Sequence, residues 1–349
     1  MSVIVPSYTY TYIKIEFLKY IVMDEDTLRE LRDLSSIEEF IEFIKPFYPD
    51  LNIRNYTIEE IEMELNRIFV KIVGKIMSFS PQNMRTFLKD YLLRFEIMNI
   101  KQIILGSIMG WSKEEKSKNL NFLVEEYLEN IDFIKGLLDK PSLDDIRVYM
   151  QGTMYNKAIR EGLLYFRNYN EIFVLEAFLD QLYYKKLKAR KKSLSKKEIK
   201  LIGLFIDIMI EIYNLNTIYR GILNNIDKIL LSQFLIDNYL FLDEEKIKKL
   251  INQKDVNIFF SMIEKYLSEF EGTKDLYHKL GVKKEHFHWS IEGLYTNYLF
   301  TKFKTVIDDI DYSTILRIIE VLMKKEKEIQ FDIIPNVVNI IHEKYNKLI

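Results

Sequence analysis

Two short segments carry side chains of the types that bind metal ions in enzymes. One is Glu285-His286-Phe287-His288, whose imidazoles and carboxylate are zinc ligand types. The other is Asp308-Asp309-Ile310-Asp311, an acidic cluster of the kind that binds magnesium. Zinc needs three or four ligands and no third histidine lies close by, while a single acidic cluster is typical of a loop and helix cap. We expect no metal site.

Other reactive signatures are missing from the sequence. The 349 residues include no cysteine, which excludes thiol catalysis, thiolate zinc sites and a disulfide framework. The segment 271–274 has one glycine where a phosphate-binding loop needs two, and no Gly-x-Ser-x-Gly elbow is present. We therefore expect no catalytic residue and no cofactor.

The composition is that of a folded, water-soluble chain. It is 48% hydrophobic, and its 50 basic residues nearly balance 52 acidic ones, so nucleic acid is not an expected partner. The most apolar stretch, 201–213, is shorter than the about 20 residues of a spanning helix. It also contains Asp207 and Glu211. We expect a buried helix there, no transmembrane segment and no export signal.

The strongest local charge feature is a basic run between two predicted helices. Its cations are Lys185, Lys186, Lys188, Arg190, Lys191 and Lys192, followed by Lys196 and Lys197. Such a run can meet anionic lipid, nucleic acid or an acidic partner. The alternative is a solvated connector.

The chain also contains an internal repeat. The segment 62–69 reappears at 176–183, an offset of 114, and the segment 96–103 reappears at 211–218, an offset of 115. A third copy is assigned around Glu292 and Glu328. Three copies of about 116 residues account for the length and are typical of a repeat architecture. The predicted domains are 1–112, 113–230 and 231–349.

Each copy has the periodicity of helices. Ile61, Leu65, Ile68 and Ile72 recur at spacings of three and four residues, as one apolar helix face requires. No segment shows sustained alternation with a hairpin turn. Helix-start signals are present at Ser36, Thr57, Ser80-Pro81, Ser142 and Ser195. The sequence predicts an all-α fold.

Polar residues recur at corresponding places in the copies. They are Glu96, Glu211 and Glu328, with Asn99 and Asn214 in the first two copies. Catalytic carboxylates come as pairs in distinct environments rather than as repeats. Because a buried polar group must find a partner, we predict that these residues tie one helix to its neighbour.

Three segments resemble the motifs of a known family. Residues 94–105 resemble its Arg-x-(Asp/Glu)-x-x-Asn-x-(Lys/Arg)-x-(Ile/Leu)-(Ile/Leu) segment, and 171–184 and 211–220 resemble its middle repeat. The family is that of the C subunit of the archaeal and bacterial A/V-type rotary ATPase, which is similar to the d subunit of eukaryotic V-ATPases. The resemblance spans nearly the whole chain. The segment 328–332 departs from it, since the expected asparagine is missing there.

The resemblance implies a fold and a function. In that family three helical domains form a funnel, which sits on the membrane proteolipid ring and receives the base of the central shaft. The implied function is a non-catalytic rotor subunit of an ATPase or ATP synthase that transports protons or sodium ions. The expected partners are the shaft subunits and the proteolipid ring, and the expected location is the cytoplasmic face of the membrane, as a peripheral subunit.

The same resemblance suggests contact residues. Arg94 and Arg220 are candidates for contacts inside the funnel, and the run 185–197 for a contact with the membrane side or the shaft. Two other functions stay open: an all-α repeat scaffold for other proteins, and a metal-dependent all-α enzyme. The coupling ion and the direction of the host complex do not follow from the sequence.

Overall fold

The predicted all-α class is confirmed. The structure is a computed structural model that describes residues 7–269, 273–274, 287–303 and 309–346. It is 78% helical, and no strand occurs in the described residues. The funnel arrangement of three repeats stays a prediction.

The helices are numbered here in chain order. The α-helices are α1 Thr9–Glu16, α2 Glu25–Arg32, α3 Ile37–Ile44, α4 Ile58–Phe79, α5 Gln82–Ile108, α6 Lys113–Lys118, α7 Phe122–Leu128, α8 Ile131–Leu138, α9 Leu143–Tyr149, α10 Asn156–Tyr169, α11 Ile172–Arg190, α12 Lys196–Leu223, α13 Lys228–Phe234, α14 Glu244–Ile251, α15 Val256–Glu269, α16 Phe287–Phe303, α17 Ile310–Lys327 and α18 Ile334–Asn346. Short 3₁₀ turns occupy Lys19–Ile21 and Lys191–Ser193, and Glu328–Ile333 forms a π-helix between α17 and α18.

The chain divides into two compact units. Unit 1 consists of Met1–Asp139 and Asp309–Ile349, and unit 2 of Lys140–Asp308. Both ends of the chain therefore belong to unit 1. The three predicted domains of about 116 residues stay a prediction.

Helices from the first and the last part of the described chain pack together in unit 1. Helix α1 packs against α17, and the backbone amide of Tyr8 donates to Oδ1 of Asp311 at 3.1 Å. Asp309 caps the start of α17 by accepting from the amides of Asp311 and Tyr312. The long helices α4 and α5 pack on each other and supply much of the apolar core of this unit.

Unit 2 is built around α12 and the α10–α11 hairpin. Helix α12 is long and apolar enough to cross a membrane, but 83% of its most apolar stretch is buried inside the protein. This confirms the predicted burial of 201–213. Asp207 is partly exposed and forms an ion pair with Lys191 at 2.6 Å.

Most of the predicted helix starts are confirmed. The side chains of Ser36, Thr57, Ser142 and Ser195 each accept from a backbone amide in the first turn of α3, α4, α9 and α12. A helix also starts at Ser80-Pro81, as predicted, but Ser80 does not cap it, because its hydroxyl donates back to the carbonyl of Ile76 in α4 at 2.7 Å. Helix α5 then begins at Gln82, directly after Pro81.

Gly162 permits the close approach of α10 and α11. A Cβ atom added there would lie 2.4 Å from Cδ1 of Leu175 and 2.9 Å from its Cα. Since the backbone of Leu175 cannot rotate away, Gly162→Ala should lower the free energy of unfolding by about 1–3 kcal/mol. Chemical denaturation measures this change.

Gly293→Ala is the matched control within another helix. Nothing lies within 4 Å of a Cβ at Gly293, so the gain in helix propensity should raise stability by up to about 1 kcal/mol. Equal effects of the two substitutions would contradict the packing described for Gly162.

Candidate functional site

Arg94 lies in a part-buried position in unit 1. Its Nη1 atom is 2.5 Å from Oε1 of Glu326, whose other oxygen accepts from the hydroxyl of Tyr91 at 2.8 Å. The guanidinium carbon lies 4.4 Å from the ring centre of Tyr91 and 4.7 Å from that of Phe95. Only 19% of the side chain is exposed. The structure therefore gives Arg94 an internal role, and its contact with a partner stays a prediction.

Arg220 is more open and also has an internal partner. Its Nη2 atom donates to Oε2 of Glu176 at 2.8 Å, and its guanidinium carbon lies 4.6 Å from the ring centre of Phe173. With 46% of its side chain exposed, it retains surface for a further contact. Its role towards a partner likewise stays a prediction.

The basic run covers the last turns of α11 and the 3₁₀ turn that follows. Cations are favourable at a helix C-terminus, because they offset the negative end of the helix dipole. Lys191 is engaged by its ion pair with Asp207, and Lys188 donates to the backbone carbonyl of Asp237. Arg190 donates to the hydroxyl of Ser193 at 3.3 Å. Much of the run is thus engaged within unit 2.

Other members of the run face solvent more freely. Lys185 and Lys192 are exposed, while Lys186 is partly buried near the sulfur of Met154. Desolvation, followed by the charge of Lys157, lowers the pKa of Lys185. At this end of α11 the lysine charges repel one another, and an anionic surface would reduce that repulsion.

The two candidate metal clusters have different outcomes. Asp309 caps the start of α17, as the helix-cap interpretation predicts. Asp311, in the first turn of α17, accepts from the backbone amide of Tyr8. Glu285, His286 and Asp308 lie outside the described residues, and the side chain of His288 is not described. No three carboxylate or imidazole groups lie close enough to hold a metal ion in the part of the chain that the structure describes.

The repeated Glu211 is fully buried in unit 2. Its Oε2 atom accepts from the amides of Leu240 and Phe241 at 2.8 and 3.0 Å, and its Oε1 atom from the hydroxyl of Tyr295 at 2.9 Å. Desolvation raises the pKa of Glu211 to about 7, and the donors limit the rise. The carboxyl fixes the segment that leads into α14.

Glu328 holds the corresponding segment in unit 1. It accepts from the amide of Met23 at 2.7 Å and the hydroxyl of Tyr48 at 3.1 Å. Lys325, also fully buried, donates to it at 2.7 Å. Desolvation raises the pKa of Glu328 and lowers that of Lys325, and each charge opposes the shift of the other. This segment leads into α2.

Glu96 reaches the start of α8. Its Oε2 atom accepts from the side-chain amide of Asn130, the residue that precedes this helix, at 2.8 Å. The neighbouring Glu125 is also fully buried, and desolvation, followed by the charge of Glu96, raises its pKa. Glu125 therefore keeps its proton at pH values at which an isolated carboxyl group would have lost it.

The three glutamates thus serve equivalent elements. Each fixes the start of an eight-residue helix, and these helices begin at 25, 131 and 244. A second helix follows each at a constant spacing, beginning at 37, 143 and 256. The predicted tying of helices to their neighbours is what the described contacts show.

The repeated asparagines make corresponding contacts with the backbone, and Asn99 also donates to Oε1 of Glu125 at 2.7 Å. Asn99 donates to the carbonyl of Asn121 at 3.1 Å and accepts from its amide at 3.0 Å. Asn214 donates to the carbonyl of Ile236 at 2.8 Å and accepts from its amide at 2.9 Å. Each asparagine side chain thus satisfies the backbone amide and carbonyl of one residue that lies outside a helix. This role is structural.

Comparison with known proteins places the chain in a family. The family described as ATP synthase (C/AC39) subunit matches residues 14–347. That match includes almost all of both units. The chain belongs to this family.

Individual relatives agree with the family match. The A-type ATP synthase C subunit of Methanosphaera stadtmanae is 23% identical over 279 residues, which cover 77% of this chain and 71% of the relative. That of Methanocaldococcus jannaschii is 25% identical over 289 residues, which cover 77% and 70%. The resemblance to the C subunit that the motifs predicted is confirmed.

The sequence analysis did not identify several residues that lie around Glu96, Glu211 and Glu328. Lys325, Tyr48 and Tyr295 supply the partners of two repeated glutamates, and Glu125 lies beside the third. They do not recur between copies, so the repeat gave no signal for them. The i, i+3 spacing of Lys325 and Glu328 is a local sign of their ion pair, but it does not reveal that the pair is buried.

The raised pKa of Glu211 predicts a pH dependence of stability. Between pH 4.5, its ordinary value, and pH 7 the folded chain retains a proton that the unfolded chain releases. Glu211 should therefore contribute a fall of roughly 3 kcal/mol in the free energy of unfolding as the pH rises across this window, in addition to what the other buried carboxyl groups contribute. In Glu211→Gln, which cannot ionise, denaturation curves at stepped pH should show this fall removed.

Glu176→Gln is the control, because Glu176 is a part-exposed carboxylate of the same unit. It should keep the pH dependence of the unsubstituted chain. A Glu211→Gln variant with that same dependence would contradict the assignment.

Proposed function

We propose that this chain is a non-catalytic central-stalk subunit of an A/V-type ATPase or ATP synthase, a socket that couples the central shaft to the membrane proteolipid ring. The observation that carries the proposal is the family match over residues 14–347 of an all-α chain. ATP chemistry then takes place elsewhere in the complex, and this chain transmits torque during proton or sodium transport.

The internal contacts suit such a task. A part that transmits torque must resist deformation, and in both units buried carboxyl groups hold the starts of short helices against long ones. Fully satisfied buried polar networks rigidify a core. Because the repeated polar residues are used in this way, they support a mechanical role rather than a catalytic one.

An exposed apolar stripe offers a contact surface. Tyr10, Ile13, Phe17 and Tyr20, here called the N-terminal stripe, are 62%, 55%, 69% and 71% exposed. Their spacing of three and four residues places them along one side of α1 and the turn after it. Solvent-exposed apolar residues in one line are typical of a surface that a partner covers.

The basic run offers a second surface, of opposite character. Lys185 and Lys192 are exposed at the end of α11 and would meet anionic groups of a shaft protein or of the membrane surface. The burial of α12 is consistent with a peripheral position at the cytoplasmic face.

A pull-down from intact host membranes tests the proposal. The tagged chain should recover shaft subunits together with the proteolipid. A variant with Ile13→Ser, Phe17→Ser and Tyr20→Ser should lose at least one of these partners, because it removes most of the apolar area of the N-terminal stripe. Quantitative mass spectrometry of the recovered proteins provides the measurement.

The control variant carries Val148→Ser, Leu164→Ser and Ile229→Ser. These residues are exposed to a similar degree, at 54%, 58% and 73%, but belong to three different helices of unit 2, α9, α10 and α13. It should recover both partners. Recovery of neither partner by the unsubstituted chain would contradict the proposed function, and recovery of unrelated proteins instead would favour the scaffold alternative.

A further inference from the structure

Unit 1 contains a cavity that the proposed function does not use, and the inference drawn from it does not rest on that function. The cavity has a volume of about 280 Å³ and lies between α4, α5 and the segment between α6 and α7. Its polar wall includes Glu59, Glu62, Gln102 and Asn121. Its size is that of a site for a small group or a single side chain.

The repeat provides an internal comparison, since the offsets of 114 and 115 give each wall residue a counterpart in unit 2. At three of these positions unit 2 has large aromatic residues. Phe173, Tyr213 and Phe234 stand where unit 1 has Glu59, Met98 and Asn119.

These aromatic side chains fill the corresponding place in unit 2. Phe173 and Phe234 are 4% and 0% exposed, and their ring centres lie 6.4 Å apart in an edge-to-face arrangement. Tyr213 is 8% exposed and donates to the carbonyl of Phe234 at 3.0 Å. The cavity of unit 1 is thus the space that three aromatic residues occupy in the other copy.

The two copies also differ in one positive charge. Glu62 corresponds to Glu176, which pairs with Arg220 at 2.8 Å in unit 2. The counterpart of Arg220 in unit 1 is Leu105. Glu62 forms neither an ion pair nor a hydrogen bond with any side chain in the described part of the chain. Unit 1 keeps the carboxylate of this pair without its guanidinium.

Asn121 adds a second unpaired group. Its side-chain Nδ2 and Oδ1 atoms are both buried and have no hydrogen-bond partner among the described residues. The backbone of Asn121 is held by Asn99 just as that of Ile236 is held by Asn214. Only the side chain differs, and unit 2 has an apolar one there. Buried amides without partners are rare and costly in proteins.

The remaining wall is suited to an aliphatic stem. Met63, Phe95 and Met98 line the cavity together with the polar groups. Glu62 is open to solvent on one side, yet desolvation, followed by the charge of Glu59, raises its pKa, and a bound cation would oppose that rise.

We infer that this cavity binds an alkylguanidinium group, either of a free small molecule or of an arginine side chain of a partner protein. A guanidinium carries five N–H donors, pairs with carboxylates and stacks on aromatic faces. It would give Glu62 the partner that Arg220 gives Glu176, and its plane could stack on the ring of Phe95, which lines the cavity.

Nuclear magnetic resonance of the full chain, with ¹³C-labelled methionine methyl groups, tests this directly. Met63 and Met98 lie in the cavity wall, while Met84 and Met150 are buried elsewhere and serve as internal references. Butylguanidinium represents a free small molecule, and N-acetyl-arginine methylamide represents an arginine side chain of a partner protein. Each should shift the two wall methyls saturably by about 20 mM ligand, and the tighter ligand identifies the source.

N-acetyl-citrulline methylamide is the matched uncharged ligand, because it has the same shape without the positive charge. It should leave the wall methyls unshifted. Glu62→Gln should weaken binding of the arginine ligand at least about tenfold. Glu176→Gln, the same change in unit 2, should leave binding unchanged.

Leu105→Arg is the most specific variant. Its guanidinium should reach Glu62 as Arg220 reaches Glu176, so it should abolish binding while the chain stays folded. Leu105→Gln, which lacks the charge, should retain binding, and the reference methyls report that both variants are folded. Unshifted wall methyls with both guanidinium ligands, equal shifts with the citrulline ligand, or undiminished binding by Glu62→Gln would each overturn the inference.

Discussion

A buried carboxyl group must recover the hydrogen bonds that it loses on leaving water, and three such groups determine how this chain is assembled. Glu96, Glu211 and Glu328 are 2%, 0% and 2% exposed, and each projects from a long helical segment to the start of a short helix. An unsatisfied buried charge costs several kcal/mol. The short helices are therefore held in the one position that supplies the missing donors.

The three sites solve the same problem with different chemistry. Glu211 relies on two backbone amides and a tyrosine hydroxyl, Glu328 on a buried lysine, and Glu96 on Asn130 beside a carboxyl that keeps its proton. The shared feature is the element that is fixed, not the partner. This explains why the glutamates recur in the sequence while their partners do not.

The third copy also explains a departure in the sequence. It has no asparagine three residues after Glu328, and there the chain forms a π-helix. A π-helix has more residues per turn than an α-helix. The residue four positions after Glu328, which is Asp332, therefore lies on the same face of the helix as Glu328. Asp332 accepts from Arg32 of α2 at 2.9 Å. An ion pair to a helix replaces the backbone contacts that Asn99 and Asn214 make.

Much of this organisation was predictable because it depends on local pattern and on repetition. Apolar periodicity gave the helices, Ser-x-x-acid signals and one Thr-x-x-Glu signal gave four of their starts, and recurrence identified Glu96, Glu211 and Glu328 as structural. Ser80 was misassigned because a serine can also bond back into the preceding helix. Contacts between distant parts of the chain, such as that of Tyr8 with Asp311, have no local signal. The cavity of unit 1 becomes visible in the sequence only when the copies are compared position by position.

The functional account requires a rigid part without chemistry of its own. Its most direct test is a comparison of the host complex in membrane vesicles with and without this chain. The account predicts that removal of the chain leaves ATP hydrolysis by the remaining catalytic proteins in place, while ATP-driven ion transport is lost and returns when the purified chain is added back. Undiminished ion transport without the chain, or a catalytic part that cannot hydrolyse ATP without it, would contradict the account.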